Sequence, residues 1–342
     1  MPNTAELPIF VGEGEALAKA VEPPHLRVEQ TQLRSLVVDG RRIAYQDVGP
    51  AAGPVIILAH CSGGSHREWA LLVEQLSGRY RILVPDLIGY GASEPWPANA
   101  PLQPSADANV LIALAALAGG PVHLVGHSYG GAMALEAARV LGARVKSLTL
   151  VEPVVFHLLH STARLSEWHE IHELGEKILT AMRMRRDRKA AAAFMTFWVG
   201  RLRWWLMPAR ARERIVTTIG KVAAEFEALR QLTATPGDYG AIYVRARLIV
   251  GQRTQRSARA IVEELLRILP DATVREVAGA GHMSPITHPE AINSLIATHI
   301  DSYEEDVARR QRVRATAETI LGRPYSVRNA GRRISKSDVW SI

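Results

Sequence analysis

Apolar, strand-like runs alternate with helical patterns along most of this 342-residue chain. Runs such as PVIILAH (54–60), RILVPD (81–86) and VHLVGH (122–127) are almost continuously apolar, and a segment of helical character follows each. Strands have this composition when helices cover both faces of a parallel sheet. The alternation therefore predicts an α/β fold whose ligand site lies beyond the carboxyl ends of the strands.

The alternation stops between residues 156 and 239, where the sequence is helical in character and rich in Arg, Met and Trp. We interpret this segment as a helical cap inserted into a core made of residues 33–155 and 240–302. Residues 1–32 are predicted to form an N-terminal extension, and residues 303–342 a basic C-terminal tail.

The net charge of +7 lies at the C-terminal end of the chain. From residue 307 onward nine basic residues face two acidic ones, so residues 1–306 balance to zero. Because a charge run is ordinarily a solvated face, we expect no nucleic-acid partner. The first 20 residues hold no apolar run long enough for a signal peptide or a membrane span. We expect a cytoplasmic protein without a membrane span, and no oligomeric state follows from the sequence.

One segment, VHLVGHSYGGAMALEAA (122–138), passes from a strand through glycines around a serine into a helix. Its centre, Gly126-His127-Ser128-Tyr129-Gly130, fits G-x-S-x-G in the strand-turn-helix context that this motif requires. Such a turn exposes the hydroxyl at the sheet edge and aims free helix N–H groups at it. Ser128 is the candidate nucleophile, and the alternative is a serine that only caps the helix.

A serine hydroxyl needs a base that removes its proton during attack. Among the twelve histidines, His282 alone combines a place after the last predicted strand with glycine-rich flanks, in EVAGAGHMSP. His282 is therefore the candidate base.

In these features the chain resembles the capped serine hydrolases of the α/β-hydrolase superfamily. The resemblance covers about residues 33–300. The motifs that carry it keep the family's order and spacing, and they are HCSGGS (60–65), DLIGYGAS (86–93), GHSYGG (126–131) and GAGHM (279–283).

The resemblance implies an α/β-hydrolase fold, with a mostly parallel eight-stranded sheet and helices on both faces. It also implies an oxyanion hole made by the backbone N–H groups of Tyr129 and Ser62, with Gly63 as the alternative to Ser62. Neither a metal ion nor an organic cofactor is expected. Cys61 stands where most relatives carry glycine, and we interpret it as a packing residue.

The acid that orients the histidine departs from the family pattern. Most relatives carry an aspartate after the strand that corresponds to ARLIVG, but the loop here, GQRTQRSAR (251–259), holds no carboxylate. Glu152, at the end of VKSLTLVEP, lies where certain haloalkane dehalogenases carry the acid, and we assign it this role. Asp238 is the reserve candidate, and a structural pairing of Glu152 with a cap arginine is the alternative.

The expected function is hydrolysis of a carboxylic ester with an apolar or aromatic acyl group, through an acyl-enzyme and a Ser-His-Glu triad. The partner is then a small-molecule substrate, and carboxylesterase is the expected class. Three alternatives stay open: carbon–carbon bond hydrolysis of vinylogous diketones, thioester or lactone cleavage, and a receptor that binds a ligand without catalysis. The predicted substrate pocket consists of His60, Phe197, Trp198 and Trp205.

Overall fold

A computed structural model describes residues 33–97 and 100–321 of the chain. The predicted N-terminal extension and the end of the predicted tail, residues 322–342, lie outside the described residues. The chain divides into two units, Met1–His299 and Ile300–Ile342, and all of the candidate site residues lie in the first.

Within the described residues, eight strands form one sheet in the order β1-β2-β4-β3-β5-β6-β7-β8. The first two pairings, β1 with β2 and β2 with β4, are antiparallel, and all the others are parallel. This topology confirms the predicted mostly parallel eight-stranded sheet. The strands are β1 (Arg34–Val38), β2 (Arg41–Val48), β3 (Val55–Ala59), β4 (Arg81–Pro85), β5 (Val122–His127), β6 (Val145–Val151), β7 (Arg245–Gly251) and β8 (Ala272–Val277).

Helices follow most of the strands, as the alternating pattern predicts. In the core they are α1 (Ala70–Leu76), α2 (Ala106–Ala118), α3 (Tyr129–Leu141), α10 (Arg256–Ile268), α11 (Ser284–Thr287) and α12 (Pro289–Leu321). Between β6 and β7, where every residue is described, lie α4 (His157–Ser161), α5 (Leu165–Arg183), α6 (Asp187–Val199), α7 (Arg201–Leu206), α8 (Ala209–Arg230) and α9 (Pro236–Gly240). These six helices occupy the segment in which the sequence predicts a cap.

The central strands are apolar because both of their faces are covered. Every residue of β3 and β5 is buried, and the core continues from them into α3 and α8. Parallel strands end at the same edge of a sheet, so the ends of β3, β5, β6, β7 and β8 bring five loops together there. The candidate residues Ser62, Ser128, Glu152 and His282 all lie in these loops.

The described part of the second unit is the C-terminal portion of α12. Its arginines are exposed, and two of them pair with acidic side chains one helical turn away, Arg309 with Asp306 and Arg314 with Glu318. Among the described residues, no helix combines the length and the apolar character needed to cross a membrane.

The turn between β5 and α3 requires glycine because the backbones approach each other closely. A Cβ at Gly130 would lie 2.4 Å from the carbonyl oxygen of His60 and 2.5 Å from that of Ala59. A Cβ at Gly126 would lie 2.3 Å from the carbonyl oxygen of Gly130. Each distance is far below van der Waals contact, so α3 can pack this tightly on β3 and β5 only without these side chains.

We expect Gly130→Ala to lower the free energy of unfolding by about 2–3 kcal/mol or more, because the methyl group must push rigid backbone apart. Gly120→Ala is the matched control, since a Cβ at Gly120 meets nothing within 4 Å. Urea denaturation of both variants checks this, and equal stabilities would contradict the close packing described for the turn.

Candidate active site

Ser128 lies between β5 and α3 in a strained backbone conformation. Its φ of 54° and ψ of −117° are rarely adopted by residues other than glycine. Backbone hydrogen bonds hold it there: its N–H donates to the carbonyl of Val151 at 2.9 Å, and its own carbonyl accepts from the N–H of Ala132 at 3.0 Å. The turn fixes the side chain at the carboxyl edge of the sheet, as the motif predicts.

Three candidate side chains form one hydrogen-bonded chain. The Ser128 hydroxyl lies 2.9 Å from Nε2 of His282, and Nδ1 of His282 lies 2.7 Å from Oε2 of Glu152. A carboxylate can only accept, so Nδ1 carries the proton and Nε2 is free to accept one from the serine. All three side chains are buried. The arrangement can generate an alkoxide-like nucleophile at Ser128.

Glu152 is held from the loop after β7 as well as by His282. It follows β6 with a φ of 44°, and its Oε1 accepts from the N–H of Gly251 at 2.7 Å. Its Oε2 accepts from the hydroxyl of Thr254. The loop GQRTQRSAR (251–259) holds no carboxylate of its own. It therefore supplies hydrogen-bond donors to the carboxylate of Glu152, which follows the neighbouring strand β6. Sequence reasoning missed Thr254 in this role.

The electrostatics favour an ionised glutamate and a neutral histidine. Burial alone would raise the pKa of Glu152, but the hydrogen bonds from His282, Thr254 and Gly251 outweigh it and hold this pKa below its usual value. Burial lowers the pKa of His282 below that of an ordinary histidine, against the opposing influence of Glu152. At neutral pH His282 is therefore in the form that a general base requires.

Asp238, the reserve candidate, has a different place. It lies in the first turn of α9, where its carboxylate accepts from the N–H and the hydroxyl of Thr235, each at 2.7 Å. It is exposed and completes a capping box with Thr235. Asp238 therefore caps a helix and is not the partner of His282.

The two predicted oxyanion residues are linked through their side chains by buried charges. The Ser62 hydroxyl donates to Glu225 at 2.6 Å, and the Tyr129 hydroxyl donates to Asp107 at 2.9 Å. Lys221 connects the two carboxylates, because its ammonium group donates to Asp107 at 2.8 Å and to Glu225 at 2.9 Å. The assignment of the Ser62 and Tyr129 N–H groups as oxyanion donors stays a prediction.

Lys221 and Glu225 come from α8, which belongs to the segment between β6 and β7. Burial would lower the pKa of Lys221, but Asp107 and Glu225 outweigh it and raise this pKa above the usual value, so the ammonium stays charged. Sequence reasoning missed this cluster. The available signal was the four-residue spacing of Lys221 and Glu225 within the otherwise apolar run IGKVAAEF.

A second buried pair lies behind the turn. Nδ1 of His127 is 2.7 Å from Oε1 of Glu68, and its Nε2 is 2.9 Å from the carbonyl oxygen of His282. Both neighbours only accept, so both ring nitrogens donate. Although burial opposes it, Glu68 raises the pKa of His127 above its usual value. This charged histidine anchors the backbone of His282, a role that the sequence did not indicate.

Cys61, Glu68 and His127 bring potential metal-ligand atoms within 4.8 Å of one another. The hydrogen bonds of His127 already engage both of its ring nitrogens, and Glu68 also accepts from the N–H of Cys61 at 3.0 Å. Burial raises the pKa of the Cys61 thiol well above its usual value, which disfavours the thiolate that a metal ion needs. This donor set suits packing and hydrogen bonding better than metal binding.

Two of the four predicted pocket residues lie against the site. The Trp198 ring stacks on the His282 ring with centroids 3.8 Å apart, and the Phe197 ring packs edge-on to Trp198 at 4.8 Å. The side-chain amide of Gln255, next to Thr254, donates to the Phe197 carbonyl at 2.6 Å and holds this end of α6 in place. Trp198 thus covers one face of the candidate base.

The structure does not bring the other two predicted pocket residues, His60 and Trp205, to the site. His60 is fully buried, its Nδ1–H donates to the carbonyl of Cys61 at 2.7 Å, and its Nε2 accepts from the N–H of Leu87 at 2.9 Å. It therefore braces the loop after β3 and has no ring nitrogen to offer a ligand. Trp205 is 71% exposed, because its neighbour Trp204 takes the inward-facing position on α7.

The model of the alpha/beta hydrolase family matches residues 56–295, which is most of the chain. The chain belongs to this family. Its fold agrees with that of a hydrolase from Pseudomonas aeruginosa PA01, with a TM-score of 0.65 over 79% of this chain and 99% of that one, at 22% identity.

Curated relatives match over shorter stretches. The chain is 41% identical over 93 residues to the magnesium-chelatase 30 kDa subunit of Rhodobacter capsulatus, which is 27% of this chain and 32% of the relative. It is 32% identical over 128 residues to Lipase 1 of Psychrobacter immobilis, which is 36% of this chain and 40% of the relative. These matches therefore span less than half of either relative.

For this family member, we expect Glu152→Gln to lower turnover of any accepted substrate by about 10⁴-fold, because an amide fixes the wrong histidine tautomer and cannot stabilise the imidazolium. Asp238→Asn is the matched control and should stay within a few-fold of the natural protein. Steady-state kinetics of both variants check this. Near-normal turnover in Glu152→Gln would contradict the prediction that Glu152 orients His282.

We expect Lys221→Met to lower the free energy of unfolding by about 3–5 kcal/mol, because it leaves Asp107 and Glu225 buried without their counter-ion. Lys189→Met, on the exposed face of α6, should change it by no more than about 0.5 kcal/mol. Urea denaturation measures both. Equal losses of stability in the two variants would contradict the claim that the Lys221 ammonium compensates the buried charges of Asp107 and Glu225.

Proposed function

We propose that this protein is a serine hydrolase that cleaves a carboxylic ester of apolar or aromatic character. The observation that carries the proposal is the hydrogen-bonded chain from Ser128 through His282 to Glu152 at a strained strand-to-helix turn. Membership of the alpha/beta hydrolase family supports the reaction class, and the relatives named as lipases support an ester bond as the target.

In the proposed mechanism Ser128 Oγ attacks the carbonyl carbon while its proton passes to Nε2 of His282. Glu152 accepts from Nδ1 throughout and stabilises the imidazolium that forms. His282 then protonates the leaving alcohol, which departs and leaves an acyl-enzyme on Ser128. A water molecule deprotonated by His282 releases the acid, and the histidine returns its proton to the serine.

The oxyanion of each tetrahedral intermediate is proposed to bind the backbone N–H groups of Tyr129 and Ser62. Tyr129 is the first residue of α3, where N–H groups have no intrahelical acceptor. The contact of the Ser62 hydroxyl with Glu225 supports a fixed position for the loop after β3. Lys221 ties that contact to Asp107 and so to Tyr129.

The proposal of an apolar or aromatic acyl group rests on the aromatic side chains that face His282. Trp198 covers the base, and Phe197 extends the same apolar surface. We propose that helices α4–α9, within residues 156–239, act as the cap of the core 33–155 and 240–302, and that this apolar lining accepts the acyl chain.

A fluorophosphonate probe tests the proposed nucleophile, since an activated serine attacks its phosphorus, expels fluoride and becomes a phosphonate ester. We expect one adduct by intact-mass analysis, lost in Ser128→Ala and strongly reduced in His282→Ala. Ser294→Ala is the control, because it removes an exposed serine hydroxyl on α12 that has no part in the proposed mechanism, and it should still label. Labelling that survives in Ser128→Ala would overturn the proposal.

A substrate panel then tests the bond class. We expect p-nitrophenyl esters with apolar or aromatic acyl groups to turn over faster than a thioester, a lactone or a vinylogous diketone. Faster turnover of the diketone would replace ester hydrolysis with carbon–carbon bond hydrolysis at the same serine. Ligand binding without turnover of any member would favour a receptor.

The pH profile of kcat/KM tests the state of His282. The base must be neutral, so activity is lost as pH falls through its pKa. Burial lowers that pKa below the ordinary value of about 6.5. We therefore expect the acid limb to have its midpoint below that value. A midpoint at or above it would contradict the desolvated environment that Trp198 and the core give this histidine.

A further inference from the structure

Helix α7 carries its apolar side chains on the outside. Leu202, Trp205 and Leu206 are 67%, 71% and 57% exposed, although a surface helix ordinarily turns such residues inward. Their spacing of i, i+3 and i+4 places them side by side on one face of the helix. We call these three residues the α7 face. Trp204 and Met207, on the opposite side, pack against the core.

Arginines border the α7 face. Arg201 is exposed and lies about 100° from Leu202 around the helix axis, and Arg210 is exposed at the start of α8. Residues 199–214 contain five arginines and a single acidic residue, Glu213, which pairs with Arg188 at 2.8 Å. The segment is therefore strongly cationic, while residues 1–306 as a whole carry no net charge.

We propose that the α7 face docks on a lipid surface with anionic headgroups. An apolar helix face with a tryptophan, flanked by arginines, is the composition of segments that lie in the membrane interface with the helix axis parallel to it. The leucines and the indole enter the boundary between headgroups and acyl chains, and the arginines bind the phosphates around them. This attachment is peripheral.

The α7 face lies close in the chain to the candidate active site. Trp198, which stacks on His282, lies in the last turn of α6, and only Val199 and Gly200 separate it from α7. Gly200 has a φ of 88° and begins the change of direction between the two helices. Docking of α7 would therefore place the cover of the candidate base next to the lipid surface.

Vesicle flotation tests the proposal on the full chain carrying Ser128→Ala, so that the result does not depend on whether the protein is a hydrolase. We expect binding to vesicles that contain phosphatidylglycerol, weaker binding to phosphatidylcholine vesicles, and release by salt. Leu202→Ser/Leu206→Ser should lower the partition coefficient by at least about tenfold. The control Leu117→Ser/Val140→Ser removes two other exposed apolar side chains from helices and should bind normally.

A second pair of variants tests the charge. Arg201→Gln/Arg210→Gln should lower partitioning into the anionic vesicles by about tenfold or more, whereas Arg310→Gln/Arg312→Gln, which removes the same charge from α12, should not. Circular dichroism of all variants establishes that they are folded.

Three results would overturn the proposal. The first is a parent chain that does not float with anionic vesicles. The second is equal binding by Leu202→Ser/Leu206→Ser and its control, or loss of binding only in the α12 variant. The third is a parent chain that is dimeric in solution and becomes monomeric in Leu202→Ser/Leu206→Ser, which would assign the α7 face to a second copy of this chain.

Discussion

The hydrogen bond from His282 to Glu152 joins the loop after β8 to the end of β6, across the intervening strand β7. A carboxylate buried this completely is tolerated only when its oxygens are satisfied. Here the donors are an imidazole, the N–H of Gly251 and the hydroxyl of Thr254. The loop after β7 holds no carboxylate and instead supplies donors to Glu152, which reaches His282 from the end of β6 because the strands end at one edge of the sheet. The hydrogen-bonded chain from Ser128 through His282 to Glu152 depends on these donors.

A second set of buried charges joins the helices between β6 and β7 to the core. Lys221 on α8 is held by Asp107 on α2 and Glu225 on its own helix, and both carboxylates also bind side chains of the predicted oxyanion residues. Apolar packing alone would tolerate small shifts of α8, whereas a buried ammonium bound to two carboxylates permits few alternatives. The position of α8 and the geometry around Ser128 are therefore coupled. Two further contacts link α6 to the loops of the site: Trp198 stacks on His282 after β8, and Gln255, next to Thr254 after β7, donates to the carbonyl of Phe197.

The sequence predicted those features whose causes are local. The turn at Ser128 was predictable because the flanking glycines have a steric reason visible in a few residues, and the parallel sheet because doubly covered strands are apolar throughout. His282 followed from its position after the last strand. His60 contacts Leu87, and Lys221 contacts Asp107, across long separations in the chain. A local sequence pattern therefore could not predict which residues these side chains would contact. Trp205 was misplaced for another reason: adjacent residues differ by about 100° around a helix, and composition does not set the rotation of a helix as short as α7.

Proton NMR of the His282 imidazole tests whether Glu152 orients the base of a serine nucleophile. A histidine N–H that donates to a buried carboxylate gives a resonance far downfield of the amide region. His127 also donates to a buried carboxylate, that of Glu68, so the His282 resonance is identified as the one that is lost in His282→Ala. We expect this resonance in the natural protein, in Asp238→Asn and in Ser128→Ala, and its loss in Glu152→Gln. Its persistence in Glu152→Gln, or its loss in Asp238→Asn, would contradict the assigned role of Glu152.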